Sequence, residues 1–373
     1  MPANAGIDAI ATGPLKPSGL PAGYSPQTYI ALFASDPATA VAIATPRVVG
    51  ADPRRTLLDH NRYISEHFTT TGTPVGHGFT SANRSADIGY YVVDPAPAVR
   101  LIALDTLNRG GYNDGSIDQA QLDWLTARLT ECSSRFVDAG GGWAATHNPD
   151  RLVMVLSHHT INTMENPTVD PANPGPRIMG DQVLALLQRF PNVVAWVNGH
   201  THVNSVTPRP GLAGMTAGFW EINTAAHIDW PAQCRLVELV DNRDGTLSIF
   251  GTLVDHAGGL APVAGAAGVL DLAATARALA ANDNQKGARA YPVAAGGAED
   301  RNVELLLPAP FSIDAALAGS SAQGGAAGAN GSAALTAEPN TAAAGAPAAG
   351  TTAALVLAAA AVVARRRRDP LED

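Results

Sequence analysis

The sequence has few cysteines and few charged residues, and each shortage excludes a class of protein. Only two of its 373 residues are cysteines, Cys132 and Cys234, and they have neither metal-ligand nor redox spacing. They therefore define no disulfide framework and no zinc knot, and we expect both thiols to be free. Charged residues make up 15% of the chain, and the formal net charge is -9. Because binding to nucleic acid phosphates requires a basic face, this balance argues against a nucleic-acid-binding protein.

The C-terminal part of the sequence differs in composition from the rest. Residues 312–340 are rich in alanine and glycine and bury too little apolar surface to offset the entropy of ordering, so we expect a disordered linker. Residues 341–373 contain the uncharged run LVLAAAAVVA, followed directly by RRRRDPLED. Four arginines after an apolar segment are typical of a stop-transfer signal, and we predict a transmembrane anchor with a basic cytoplasmic tail. A solvated alanine-rich helix is the alternative.

This predicted anchor has a consequence for the N-terminus. If the arginines stay in the cytoplasm, the rest of the chain is extracytoplasmic and its export requires a signal. The first residues, MPANAGIDAIATGPLKPSG, have neither a basic start nor an apolar core. We therefore expect either that the anchor interpretation is wrong or that the chain lacks its natural beginning.

The middle of the chain has the alternation of an α/β domain. Residues 1–90 are loop-rich, with one helical pattern at Leu57 to Phe68, whereas in residues 91–311 apolar runs alternate with amphipathic segments. The predicted buried strands are VRLIALDTLN, RLVMVLSHHT and NVVAWVNGHTH, and the predicted helices are GSIDQAQLDWLTARL, with Ser116 as its N-cap, and GDQVLALLQRF. Strands that are apolar throughout indicate that helices cover both faces of the sheet. The turn NRDG joins two further predicted strands as a hairpin.

Histidines follow two of these strands. His158 and His159 come directly after one strand, and His200 and His202 follow the next in the stretch VNGHTHVN. In an extended segment the side chains of His200 and His202 project to the same side. Since ligands of open α/β sheets collect beyond the carboxyl ends of the strands, the four histidines predict a metal site at that edge. Imidazole nitrogen suits zinc, iron, manganese or nickel.

The same stretches carry a family resemblance. VLSHHT and VNGHTH resemble the last two motifs of the calcineurin-like metallophosphoesterases, and LDTLNRGGYNDGSIDQAQLDWL is similar to a segment common in that superfamily. GTPVGHGF and GFWEINTAAHIDWPAQCRLVELVDN resemble one bacterial subfamily, so the likeness covers roughly residues 50–256. It implies a layered β-sandwich flanked by helices that hydrolyses phosphoric esters with two divalent ions of zinc, manganese or iron.

The resemblance also implies roles for individual histidines. Matched motif by motif, His158 and His200 bind one metal and His202 the other. His159 and His227 are weaker candidates, which would contact the metal-ligating side chains or the substrate but not the metal itself. The family motifs D-x-H, G-D and G-N-H-[DE] are absent from the sequence. We therefore expect a domain that is incomplete at its N-terminus, with weak metal binding and little catalysis, and we assign no residue as catalytic.

Two other functions remain open at this point. The first is a surface-anchored binding or scaffold protein that keeps the fold of a phosphoesterase without its chemistry. The second is a hydrolase with a single zinc ion, because three histidines and a water are an adequate catalytic zinc set. The sequence does not identify the substrate.

Overall fold

The computed structural model describes residues 58–215, 218–259, 268–281 and 289–323, together with residues 14–17, 22–25, 46–48, 362–366 and isolated positions between 28 and 43 and at 261 and 265. The chain divides into two compact units, Met1–Glu66 and His67–Asp373. In the first unit, β1 (Pro14–Pro17) pairs antiparallel with β2 (Pro46–Val48), and α1 spans His60–Glu66. This helix lies within the segment that the sequence predicts as helical.

The second unit contains the predicted α/β body. Its strands are β3 (Tyr91–Ala96), β4 (Val99–Ala103), β5 (Ile117–Asp118), β6 (Arg135–Val137), β7 (Trp143–Ala145), β8 (Leu152–Leu156), β9 (Arg177–Ile178), β10 (Val193–Asn198), β11 (Ser205–Arg209), β12 (Phe219–Asn223), β13 (Cys234–Asp241), β14 (Thr246–Val254), β15 (Val303–Pro308) and β16 (Val362–Arg366). Its helices are α2 (Ser81–Ala86), α3 (Gln119–Thr130), α4 (Gly180–Leu187), α5 (Val269–Ala281) and α6 (Ile313–Gln323).

A mostly parallel sheet of six strands forms the centre of this unit. The strand order is β11-β12-β10-β8-β4-β3, in which β4, β8, β10 and β12 run parallel and the two outer strands run antiparallel to their neighbours. The mixed α/β class predicted from the sequence is confirmed. In this sheet β8 lies between β4 and β10, so the loops that follow these three strands leave the sheet side by side.

The two faces of the central sheet are covered by different layers. Side chains alternate along a strand, and in β8 Val153 and Val155 pack with the apolar faces of α3 and α4. Leu152 and Met154 point the other way and pack against β13, β14 and β15 of a second sheet, which has the order β15-β14-β13-β16. The expectation of helices on both faces is therefore wrong, because a second sheet buries an apolar face as completely as helices do. The predicted hairpin of β13 and β14 is confirmed.

Helix α3 begins at a different residue from the one predicted. Asp118, not Ser116, is the N-cap, and its Oδ1 accepts a hydrogen bond of 2.8 Å from the backbone N–H of Gln121. The hydroxyl of Ser116 is fully buried and already accepts hydrogen bonds from Asn108 Nδ2 and Arg177 Nε. Ser116 therefore stabilises the loop before α3, and its hydroxyl is not available to cap the helix.

The C-terminal predictions are corrected in part. Helix α6 occupies residues at the start of the predicted linker, where Ile313 is buried and Leu317 packs on the core between the sheets. At the other end, Val362–Arg366 forms β16, parallel to β13, where the sequence predicts the end of an anchor and its basic tail. The β-branched Val362 and Val363 favour such a strand. Residues 324–361 and 367–373 of the predicted linker and anchor lie outside the described residues, and within the described part no helix has the length and apolarity to cross a membrane.

Candidate metal centre

Two histidine-bearing loops meet at one edge of the central sheet. In the parallel register of β8 and β10, Leu156 pairs with Val197, so the two strands end at the same level. The backbone N–H of Gly199 then donates to the carbonyl of His158 at 3.0 Å, which keeps the loops together beyond the sheet. The convergence predicted for the two strand ends is therefore present.

His158 and His200 face each other at this edge. His158 Nε2 lies 3.1 Å from His200 Nδ1, and both side chains are partly buried. Their ring centroids are 5.1 Å apart, and the ring of His159 lies 4.8 Å from that of His158 and 4.5 Å from that of His200. One ring nitrogen from each of the three histidines falls within 4.8 Å of the others. The three side chains therefore form one cluster, which we call the histidine cluster.

Burial keeps these imidazoles neutral. Burial and, to a smaller extent, the neighbouring histidines together lower the pKa of His158 to about 4. Burial also lowers the pKa of His159, against the hydrogen bond to the Asn113 carbonyl, and that of His200, against the nearby carboxylate of Asp114. A neutral imidazole has a lone pair for a metal ion, so near neutral pH the cluster holds the form that binds metals.

His159 stands behind the pair and both of its ring nitrogens are occupied. Nε2 lies 2.9 Å from the carbonyl oxygen of Asn113, and Nδ1 lies 2.8 Å from the hydroxyl of Thr106. A carbonyl only accepts, so Nε2 carries the proton and Nδ1 accepts from Thr106, whose oxygen in turn accepts from the His159 backbone N–H. The ring atoms are close enough to share an ion with the pair, but this bonding leaves His159 no free lone pair. We infer that His159 packs against His158 and His200 and does not itself bind an ion.

Asp114 is the residue at this site that the sequence analysis did not find. It lies in the loop after β4, and its Oδ1 is 3.4 Å from His200 Nε2. The side-chain amide of Asn166 donates to the carbonyls of Gly111 and Asp114 and so fixes the loop. A carboxylate beside Nε2 favours the proton on that nitrogen and directs the Nδ1 lone pair toward His158, whose Nε2 lies within hydrogen-bond distance. The available signal was an acidic residue in a glycine-rich loop after a third parallel strand.

His202 is not a member of the histidine cluster, although it is close enough to lower the pKa of His158 and of His200. Its Nδ1 is 2.5 Å from Asp229 Oδ2 and 2.6 Å from Arg289 Nη2, and Arg289 also donates to Asp229 at 2.9 Å. Burial raises the pKa of Asp229, but the bonds from His202 and Arg289 outweigh it and the net pKa is lowered. Both contacts are made by Nδ1: the carboxylate accepts from an N–H at that position, whereas the guanidinium donates to a lone pair there.

The expectation that His200 and His202 lie on one side of a strand is wrong. Strand β10 ends at Asn198, and both histidines have left-handed backbone angles, with φ of 63° and 60°. A hydrogen bond of 2.7 Å from the N–H of Thr201 to the carbonyl of Gly199 closes a tight turn between them. The period of two holds only for extended backbone, so it does not apply to this segment.

The remaining weak candidate, His227, is outside the cluster. It is exposed in the loop between β12 and β13, and its Nε2 lies 3.0 Å from the sulfur of Cys234. The thiols of Cys132 and Cys234 are both free, as expected. The structure thus places the five candidate histidines in four different settings. His158 and His200 face each other, and His159 lies next to both. His202 contacts a carboxylate, and His227 contacts a thiol.

Comparison with known proteins finds similarity among solved structures. No family model matches the chain, and no curated protein does. Among solved structures, a dimetal phosphatase from Danio rerio is similar with 16% sequence identity and a TM-score of 0.28. The match covers 45% of this chain and 59% of that phosphatase, so the chain spans less than two thirds of its length. A likeness at this level establishes neither a family nor an activity for this chain.

Proposed function

We propose that this chain binds a divalent metal ion through His158 and His200 and that it acts as a metal-dependent hydrolase of phosphoric esters. The observation that carries the proposal is the approach of His158 Nε2 and His200 Nδ1 to 3.1 Å at the ends of two adjacent parallel strands. The phosphoric ester as substrate comes from the motif resemblance of VLSHHT and VNGHTH.

The donor set fits a metal ion of this kind. Two imidazole ligands of one tetrahedral zinc, each with a bond of about 2.0–2.1 Å, have nitrogens roughly 3.3 Å apart, close to the separation of the pair. Both rings are neutral, and the carboxylate of Asp114 fixes the tautomer of His200 that presents Nδ1. Zinc, manganese and iron all accept such ligands.

The chain's own residues then have distinct roles. A bound divalent ion polarises a phosphoryl oxygen and lowers the pKa of a bound water. His158 and His200 hold the ion, His159 and Thr106 brace the pair, and Asp114 aligns His200. The resemblance implies a second ion at His202, and because Asp229 and Arg289 both contact its Nδ1, Nε2 is the nitrogen that would bind it.

Metal titration of matched variants tests the proposal. We expect the chelator-treated protein to bind Zn²⁺ or Mn²⁺ in isothermal titration calorimetry, and His158→Ala and His200→Ala to weaken the affinity at least tenfold. His147→Ala removes an exposed histidine outside the cluster and should change nothing. Equal affinity of all four proteins would exclude the pair as ligands.

The catalytic half of the proposal needs its own measurement. With saturating metal, we expect release of p-nitrophenol from p-nitrophenyl phosphate or from its diester, and loss of that release in His200→Ala. Metal binding without turnover of either ester would instead identify a binding protein that shares the fold. Retention of the first ion in His202→Ala would separate the two metal positions.

A further inference from the structure

Away from the histidine cluster, a thiol and an imidazole meet at the start of the second sheet. Cys234 is the first residue of β13 and is partly exposed, and its Sγ lies 3.0 Å from Nε2 of the exposed His227. Seven positions separate the two residues, which lie at the two ends of the loop segment that leads into β13. Neither residue has a part in the proposed metal chemistry.

This contact has the chemistry of an activated thiol. An S–H group donates to the Nε2 lone pair, and an imidazole in that position can take the proton as the sulfur attacks. The thiolate, not the thiol, is the nucleophile, and a base within hydrogen-bond distance supplies it at the moment of reaction. Cys234 is partly exposed, which gives a small reagent access to it.

The other cysteine provides the contrast within the same chain. Cys132 is 1% exposed, and burial raises the pKa of its thiol to about 11. Its sulfur donates to the carbonyls of Arg128 and Leu129 at the end of α3, and within the described part of the chain it makes no hydrogen bond to an imidazole or a carboxylate. Cys132 therefore has the environment of an inert core thiol.

We propose that Cys234 is a reactive thiol that soft electrophiles modify, with His227 as its base. With an alkylating reagent such as iodoacetamide, the sulfur forms a bond to the methylene carbon while the carbon–iodine bond breaks. Iodide leaves with the bonding electrons, and the thiol proton moves to His227 Nε2. The reaction needs no oxidant and no metal, so its outcome is independent of the proposed phosphoesterase activity.

The test is the labelling rate of each cysteine in the native full chain. Iodoacetamide is added at pH 7, and mass spectrometry of the peptides gives separate rates for Cys234 and Cys132. We expect Cys234 to be labelled while Cys132 stays unmodified. His227→Ala and His227→Gln should each slow labelling of Cys234 about tenfold, because neither side chain can take the proton. His147→Ala, at an exposed histidine elsewhere, should leave the rate unchanged.

Cys132 also reports whether each variant is folded, since unfolding would expose it to the reagent. Equal rates at Cys234 in the wild type and in either His227 variant with Cys132 protected would overturn the proposal. Protection of Cys234 in the wild type, or equal labelling of both cysteines there, would overturn it as well. If His227→Ala exposes Cys132, His227→Gln, which keeps a polar side chain of similar reach, decides the question.

Discussion

His158 Nε2 and His200 Nδ1 lie 3.1 Å apart although 42 positions separate the two residues in the chain. Parallel pairing of β8 with β10 produces this approach, because strands that run side by side release their loops at one edge. The apolar strands are therefore as necessary to the pair as the histidines themselves. Around the pair, the loop after β4 contributes one carboxylate and one carbonyl, from Asp114 and Asn113.

The contact of Asp114 with His200 predicts a specific loss on substitution. Asp114→Asn removes the charge that favours the proton on His200 Nε2, so Nδ1 is less often free to bind an ion. Removal of such a supporting carboxylate typically costs about 10–100-fold in metal affinity, and we expect a loss in that range. Calorimetric titration with Zn²⁺ measures it. Glu165→Gln, at an exposed carboxylate, is the control, and an affinity for Asp114→Asn equal to that of the control would remove Asp114 from the site.

Gly115 allows the imidazole ring of His159 to lie close to the backbone. A Cβ at position 115 would lie 2.4 Å from Cγ and Nδ1 of His159, whose side chain is 4% exposed and has little space to move. We expect Gly115→Ala to lower the free energy of unfolding by about 1–3 kcal/mol, the usual cost of overpacking a buried site. Urea denaturation followed by tryptophan fluorescence measures the change.

A second glycine provides the matched control for that experiment. At Gly175 an added Cβ would meet only Asn173 Oδ1 at 3.7 Å, an ordinary contact. Gly175→Ala should therefore leave the denaturation midpoint nearly unchanged. If Gly115→Ala and Gly175→Ala both unfold at the urea midpoint of the wild type, the ring of His159 does not pack tightly against position 115, and the prediction is wrong.

The sequence predicts the parts of the site that depend on regular structure and misses those that depend on loops. The positions of His158 and His200 follow from strand ends, which apolar runs identify well. The different directions of His200 and His202 follow from two left-handed residues in a turn, and no periodicity encodes such a turn. Asp114 reaches His200 only through the path of a loop that Asn166 fixes from a distant part of the chain.

The same division explains the differences in the fold. Apolar runs predict the central strands and a turn signal predicts the hairpin of β13 and β14, but neither distinguishes helices from a second sheet as the covering layer. Both bury an apolar face, so the pattern on the central strands is identical in the two cases. The N-cap of α3 was displaced from Ser116 to Asp118 because Arg177 and Asn108 use the serine hydroxyl.

An ion-pair group near the β3 edge of the central sheet predicts how stability depends on pH. Arg100 donates to both carboxylate oxygens of Asp94, at 2.8 and 2.9 Å, and Arg151 also contacts this carboxylate. Burial raises the pKa of Asp94, but the hydrogen bonds and charges of the two arginines outweigh it, and the net pKa is lowered. A carboxyl group whose pKa is lower in the folded state stabilises the fold above its unfolded pKa of about 3.9. That stabilisation is lost as the pH falls through the folded pKa.

Asp94→Asn should therefore lower the melting temperature at pH 7, and the difference from the wild type should shrink below about pH 4. Asp123→Asn, at an exposed position on α3 without an arginine contact in the described structure, is the control. A difference between Asp94→Asn and wild type that stays constant from pH 7 to pH 3 would show that the arginines do not stabilise the charged form.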